Sequence, residues 1–323
     1  MDKSLFGYFG KTSTSSIVAV QSICEQKICI NVKDTTQSQI VSGETFVDLG
    51  SITKFVTAVA ILHLVDEGRL NLHEPLRQII PNVPQDKALI TVHQLLTHTS
   101  GLVGSTGSDE EKLDRNSFLK RVLSTPLIHK PGKKYLYSNA GYSLLAAIIE
   151  LRSNKDYELY LLENILKPRN LPEIGYQTVY TSNQSMRSFR TWRTLFQNSP
   201  IHSASWGGKK PWWNLIGNGG AVSTAEGFLR FWHAFLQGKI VSPQLVTLAL
   251  TPHADEGNAR SYYGYGLVVE QSPEFGKIYW HDGGNEVFSA EWRHLTRKKI
   301  TIFSAGPSEE GFKAMKAMIK TMH

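Results

Sequence analysis

Ser51 and Lys54 stand three residues apart in the segment Gly50-Ser-Ile-Thr-Lys-Phe55. On a helix that spacing puts both side chains on one face, one turn apart. A serine hydroxyl is a poor nucleophile near neutral pH and needs a base. A desolvated lysine amine with a lowered pKa supplies one, and the amides of a helix N-terminus stabilise a developing oxyanion. The same spacing recurs at Ser117-Phe-Leu-Lys120. Context separates the two copies. Ser51 opens an apolar helix directly after a strand, whereas Ser117 lies among Asp114, Arg115, Lys120 and Arg121 and reads as the start of an exposed helix.

Two further groupings carry reactive side chains. Tyr137-Ser-Asn139 is the only Tyr-x-Asn in the chain. A tyrosine beside an ammonium can relay protons, and an asparagine amide can orient a substrate carbonyl; taken alone, the tripeptide also fits a helix-start loop with a core tyrosine and a capping asparagine. His281-Asp-Gly-Gly284 ends a strand. Two glycines there let a substrate backbone approach, the Gly284 amide offers an oxyanion donor, and His281 offers a titratable positive charge. A plain Asp-Gly turn is the other reading. Titration of His281 would change the rate between about pH 5.5 and 7.5.

In this order, Ser-x-x-Lys, Tyr-x-Asn and His-x-Gly resemble the serine β-lactamase and penicillin-binding-protein superfamily, and most closely its class C β-lactamase-like branch. GSITKFVTAVAILHLVDEGRLNLHEPL, LLTHTSGL, PGKKYLYSNAGYSLL, GNGGAVSTAEGFLRF, YGYGLVV and HDGG carry the resemblance. It implies an acylated Ser51, with Lys54 and Tyr137 sharing base and acid duty. It implies Asn139 on the substrate amide, His281 where many relatives carry Lys, and Gly283 and Gly284 lining the substrate. The amides of Ser51 and Gly284 would form the oxyanion hole. The implied activity is hydrolysis of a small-molecule or peptide-like ester or amide, of esterase or D-amino-acid peptidase type. A β-lactamase or D-Ala-D-Ala carboxypeptidase would use the same machinery. The alternative of another class is a penicillin-binding-like protein that kept the fold and lost catalysis, but all three motifs are intact. No metal or cofactor is implied, and the eleven histidines include no His-Glu-x-x-His pair.

Two departures from the family pattern bear on substrate. No match to the Glu-x-x-Leu-Asn loop of class A enzymes is present. Asp282 replaces the Thr or Ser often found there, and an anionic side chain repels a substrate carboxylate by roughly 1–4 kcal/mol at contact. This favours neutral esters and amides, or substrates with a free amine, provided Asp282 faces the cleft.

The elements that must position these groups can be read as well. Residues 16–32 predict a hairpin around Glu25-Gln-Lys27. Residues 45–50 form a third strand leading into Ser51. A buried helix follows, with Gly68 as its C-cap. Further helices are expected at 92–97, 116–124 and 140–152, and another after a capping box at Ser223-Thr-Ala-Glu226. Strands are expected at 265–270, 277–281, 287–292 and 299–304, and a C-terminal helix at 308–322 presents Phe312, Met315, Met318 and Ile319 on one side. The order predicts an α+β, β-lactamase/transpeptidase-like fold. Its antiparallel sheet joins strands from both ends of the chain (regions 1–75 and 245–323), with a mainly helical region, 76–244, inserted. The active site lies between the two regions. Within the inserted part, 176–220 reads as a long cleft-side loop. There Arg187, Arg190, Arg193, Lys209 and Lys210 stand beside Trp192, Trp206, Trp212 and Trp213. This is the expected specificity loop; the other reading is packed tryptophans.

Composition excludes several classes. A length of 323 residues with 41% hydrophobic and 20% charged residues is ordinary for a globular chain. No run of about 18 apolar residues exists, so no membrane span is expected. Lys and Arg number 35 against 28 Asp and Glu, a net charge of +7; these charges are scattered, and no nucleic-acid partner is expected. The N-terminal MDKSLFGYFGKTSTSSIVAV lacks a continuous apolar stretch, which points to a cytoplasmic chain, or to an extracytoplasmic one whose leader was removed earlier. Cys24 and Cys29 flank the hairpin turn; a bridge there would argue for export, and two reduced strand cysteines are the other reading.

Overall fold

A computed structural model describes residues 15–23, 27–33, 43–171, 174–176, 211–258 and 260–322. Alternation organises the first hairpin. In β1 (Ser16–Ser22) Ile17 and Ala19 enter one core while Val18 and Val20 enter another. A strand whose successive side chains are all apolar must be covered on both faces. β2 (Lys27–Lys33) pairs antiparallel on one side of β1, with Cys29 opposite Val20. Cys29 is a free, buried thiol, and Cys24 lies outside the described residues.

On its other side β1 pairs with β10 (Ile300–Pro307), Ile17 facing Ala305. The sheet continues through β9 (Phe288–Leu295), β8 (Gly276–Gly284), β7 (Val268–Ser272), β6 (Ser261–Tyr263) and β5 (Ala254–Asp255). Among the described residues it is eight-stranded and antiparallel, and it joins strands from both ends of the chain. The segment expected as a third strand contributes only β3 (Val47–Asp48). This strand stays out of the main sheet and pairs with β4 (Val222–Ser223).

The helices cover both faces. The C-terminal helix α8 (Glu310–Thr321) packs Ala314, Met315 and Met318 against Val18, Val20 and Ile302. The opposite face meets α1 (Thr53–Asp66) and α6 (Ala225–Leu236). Every residue of α1 from Thr53 to Leu64 is buried, as expected of a helix without a polar face. Gly68, with φ +69, follows its C-terminus. Phe55 projects from α1 into an aromatic cluster. Its ring lies 5.1 Å from Phe235, 5.3 Å from Trp232, 5.6 Å from Trp292 and 6.0 Å from Phe231. This cluster fixes the height and rotation of α1 against the sheet.

Between the outer strands run α2 (Val92–Leu96), α3 (Arg115–Ser124), α4 (Asn139–Ser153), the short α5 (Tyr157–Tyr160), and later α7 (Pro243–Ala249). The capping box expected at Ser223–Glu226 is displaced by one residue. Thr224 is the N-cap and accepts from the Gly227 amide, because Ser223 is still paired in β4. Glu226 instead lies 3.9 Å from Arg230, one turn on. A reciprocal capping box does form at Thr91 and Gln94, opening α2. Ser117 and Lys120 are exposed on α3. Most of the expected cleft-side loop lies outside the described residues, including Arg187, Arg190, Trp192, Arg193, Trp206, Lys209 and Lys210. Trp213, at its end, is buried and stacks on Phe118 at 6.1 Å.

Truncating Phe55 leaves the centre of the aromatic cluster empty. Phe55→Ala should lower stability by about 3–5 kcal/mol, read from urea unfolding. A loss below about 1 kcal/mol would show that the cluster does not hold α1 in place.

Candidate functional site

A single 3₁₀ turn, Gly50–Ile52, carries the chain from β3 into α1. Gly50 has φ +50, a conformation that disfavours side chains, and a Cβ there would lie 2.7 Å from the Gly284 amide nitrogen. A Cβ on Gly283 would likewise come within 2.5 Å of the Ser51 nitrogen. The end of β8 therefore crosses directly over the turn holding Ser51, and only glycines allow so close a crossing. The expected Gly283–Gly284 segment and the backbone of Ser51 meet here.

Lys54 is fully buried. Its Nζ lies 3.0 Å from Ser51 Oγ and 2.8 Å from the Asn218 carbonyl oxygen, and 4.7 Å from the centre of the Tyr137 ring. Burial lowers its pKa from 10.5 to about 7, while the carboxylates of Asp109 and Asp282 pull the other way. A neutral amine has two N–H bonds and one lone pair. In that form Lys54 can donate to Asn218 and accept from Ser51. The Asn218 carbonyl is held by its own side chain, whose amide donates to Ser143 Oγ and to the Asn214 carbonyl. The Leu49 amide donates to the Ala221 carbonyl, tying the same segment to the strand before Ser51.

Tyr137 reaches the site from the loop before α4. Burial pushes its phenol above the ordinary value, and a hydrogen bond with Ser51 offsets only part of this. Asp282 and Glu256 push it the same way as burial. Tyr137 is thus a neutral proton donor at physiological pH. Asn139 opens α4, and its Oδ1 is buried without a partner among the described residues, an acceptor that a substrate N–H could satisfy.

His281 is in place, and its charge differs from expectation. Its ring lies 6.3 Å from that of Tyr137. Nδ1 sits 2.6 Å from the Asp282 carbonyl oxygen and Nε2 3.0 Å from the Tyr263 hydroxyl. The first contact requires an N–H on Nδ1, so Nε2 accepts from Tyr263. Burial lowers the pKa from 6.5 to about 4, with Lys54 adding to the shift and Asp282 opposing it. His281 is therefore neutral between pH 5.5 and 7.5. The expected titratable cation at this position is corrected: the group that titrates in that window is Lys54. Asp282 is 53% exposed, and its charge acts on Lys54 and Tyr137, so it faces the cleft electrostatically.

Ser51, Lys54, Tyr137, Asn139, His281, Gly283 and Gly284 were all expected from sequence; the structure brings Lys54, Tyr137, Gly283 and Gly284 against the Ser51 turn with His281 beside Tyr137, and places Asn139 two residues beyond Tyr137 at the start of α4. Three others were not: the Asn218 carbonyl, Tyr263 and His98. His98 sits within LLTHTSGL, a landmark to which no residue role was attached. Among the described residues, no cluster of three or more His, Cys, Asp or Glu is placed to hold a metal ion. No described helix is long and apolar enough to cross a membrane.

The family model for beta-lactamase matches residues 12–305. The chain belongs to the beta-lactamase family. Its fold is accordingly the β-lactamase/transpeptidase fold, and the family lies within the serine hydrolases. Protein flp of Staphylococcus aureus (strain COL) is 33% identical over 159 residues, covering 46% of this chain and 32% of that protein. The chain thus spans about a third of the length of such curated relatives. The penicillin-binding protein from Bacillus halodurans superposes with a TM-score of 0.76 at 21% identity, covering 100% of both chains. The D-amino acid amidase of Ochrobactrum anthropi SV3, solved with D-phenylalanine, gives 0.72 at 18% identity, over 95% of this chain and 93% of that one.

A base of pKa about 7 acts only once it has lost its proton. The rate of Ser51 labelling by a fluorophosphonate should therefore rise with pH, with a midpoint near 7. His281→Gln should leave that midpoint in place. A midpoint that moved out of the pH 6–8 window in His281→Gln would return the titration to the imidazole.

Proposed function

We propose that this protein is a serine hydrolase that forms an acyl-enzyme at Ser51 and transfers the acyl group to water. The observation that carries this reading is the buried Lys54 amine, 3.0 Å from Ser51 Oγ, with a pKa of about 7. Lys54 takes the hydroxyl proton as Ser51 attacks the substrate carbonyl. The amides of Ser51 and Gly284 receive the oxyanion. Tyr137, held as a neutral phenol, passes a proton to the leaving group and regains one from the Lys54 ammonium, which leaves the amine neutral again, and Asn139 orients the substrate amide. Water then attacks the acyl-enzyme; Lys54 takes its proton and returns it to Ser51 Oγ as the acyl group departs. His281 serves as a neutral, fixed member of the wall.

The substrate class follows from charge. Asp109 and Asp282 both act on the cleft, and Asp282 lies between His281 and Gly284. A β-lactam or a D-Ala-D-Ala terminus would bring its carboxylate towards this negative field. A neutral ester, or an amide of a D-amino acid with a free amine, would not. The fold is shared with a D-amino acid amidase and equally with a β-lactamase/D-alanine carboxypeptidase, so the preference rests on the charge of the site. β-Lactamase or carboxypeptidase activity is the alternative that the two aspartates disfavour.

Intact-mass measurement should detect a covalent adduct with a fluorophosphonate, and Ser51→Ala should abolish both the adduct and turnover of p-nitrophenyl esters or D-amino-acid amides. Turnover undiminished in Ser51→Ala would overturn the proposal, and ligand binding without any adduct would favour a non-catalytic binding protein. Asp282→Thr should raise the acylation rate with nitrocefin by about fivefold, a half-exposed charge contributing on the order of 1 kcal/mol. An unchanged rate would remove Asp282 from substrate selection.

A further inference from the structure

His98 follows α2 and is 1% exposed, with a left-handed backbone at φ +58. Its carbonyl oxygen accepts from the Leu136 amide at 2.8 Å, and its Nδ1 accepts from the Ser138 amide at 3.0 Å. One residue thus grips the chain on both sides of Tyr137. The Ser138 amide is also the peptide nitrogen that joins Tyr137 to Ser138, directly before Asn139. The imidazole lies 4.4 Å from the Tyr137 ring and 4.5 Å from the Tyr263 ring, and Tyr263 is the residue that donates to His281. Because Nδ1 accepts a hydrogen bond, Nε2 carries the proton, and Nε2 has no partner among the described residues. Burial, with Lys54 and His281 nearby, keeps the ring neutral.

We infer that His98 is a positioning residue for the reaction: its Nδ1 sets the backbone that aims the Tyr137 hydroxyl at Ser51. The inference rests on the acyl-enzyme reading above, and it concerns a residue that touches no substrate. A small misplacement of a catalytic group can cost on the order of 10²-fold in rate. That sets the scale of the expected effect.

Three substitutions test it. His98→Asn keeps an acceptor at the position of Nδ1 and tolerates the left-handed backbone. His98→Gln carries its acceptor too far out, and His98→Leu has none. With p-nitrophenyl acetate as probe, His98→Asn should keep kcat within about threefold of the parent chain. His98→Leu and His98→Gln should lose on the order of 10²-fold in kcat with little change in KM. The same loss should vanish in a Tyr137→Phe background, because a residue acting through Tyr137 has nothing left to position; a general structural role would give additive losses. Equal kcat in His98→Asn and His98→Gln, or additive losses with Tyr137→Phe, would overturn the inference. Should His98→Leu fail to fold, the Asn and Gln pair decides. An active Ser51→Ala variant would instead sink the acyl-enzyme reading itself, so the two failures are distinguishable.

Discussion

Burial of one amine governs this site. An ammonium is costly to bury, and a protein commonly responds by lowering its pKa. Lys54 sits on a helix without a polar face, and that helix is locked in place by Phe55 and its five aromatic neighbours. The adjacent residue of the chain thus provides the packing that holds α1 where Lys54 is buried. The hydrophobic core and the base are parts of one arrangement. The core holds α1, α1 holds the amine away from solvent, and desolvation makes the amine a base near neutral pH.

The second constraint is steric. The turn at Gly50–Ile52 and the end of β8 approach so closely that a Cβ at position 50 or 283 would meet backbone atoms of the other segment. This crossing joins the two ends of the chain: the turn belongs to the N-terminal part and β8 to the C-terminal strands. β1 paired to β10 brings both ends of the chain into one sheet, and the turn, which follows β3 outside that sheet, is carried to β8 by α1 packed on the sheet's face. The inserted helices then supply the third side through Tyr137 and Asn139, and the segment at 217–221 supplies the fourth through the Asn218 carbonyl.

The residues that bear reactive side chains were legible in the sequence, because their identity and their order along the chain are local properties. So was the architecture, since strand patterns at both ends leave few other ways to satisfy their edges. What escaped was set by contacts between distant segments. The protonation state of His281 depends on Tyr263, eighteen positions earlier, and on burial that no spacing reveals. The second acceptor for Lys54 is a backbone carbonyl at residue 218, which has no side-chain signature. Ser223 looked like a helix cap because its neighbours fit the pattern; its pairing with Val47 made it a strand residue and moved the cap to Thr224. The strand at 45–50 left the main sheet for the same reason, since β4 offered it a partner.

The charges around the amine act in two directions. Asp109 and Asp282 stabilise the protonated form of Lys54 and so weaken the effect of burial on its pKa. A site tuned only for a strong lowering of that pKa would carry neither. Keeping them makes sense if the same carboxylates also act on substrate, where they favour a cation and disfavour an anion. The neutrality of His281 fits this view. A cation at this position would cancel the field of Asp282. Here the imidazole instead gives its Nδ1 proton to the Asp282 carbonyl oxygen and accepts from Tyr263, and the negative field remains. On the proposed acyl-enzyme reading, basicity and substrate charge preference are coupled through the same two aspartates, and a change in either carboxylate is expected to alter both.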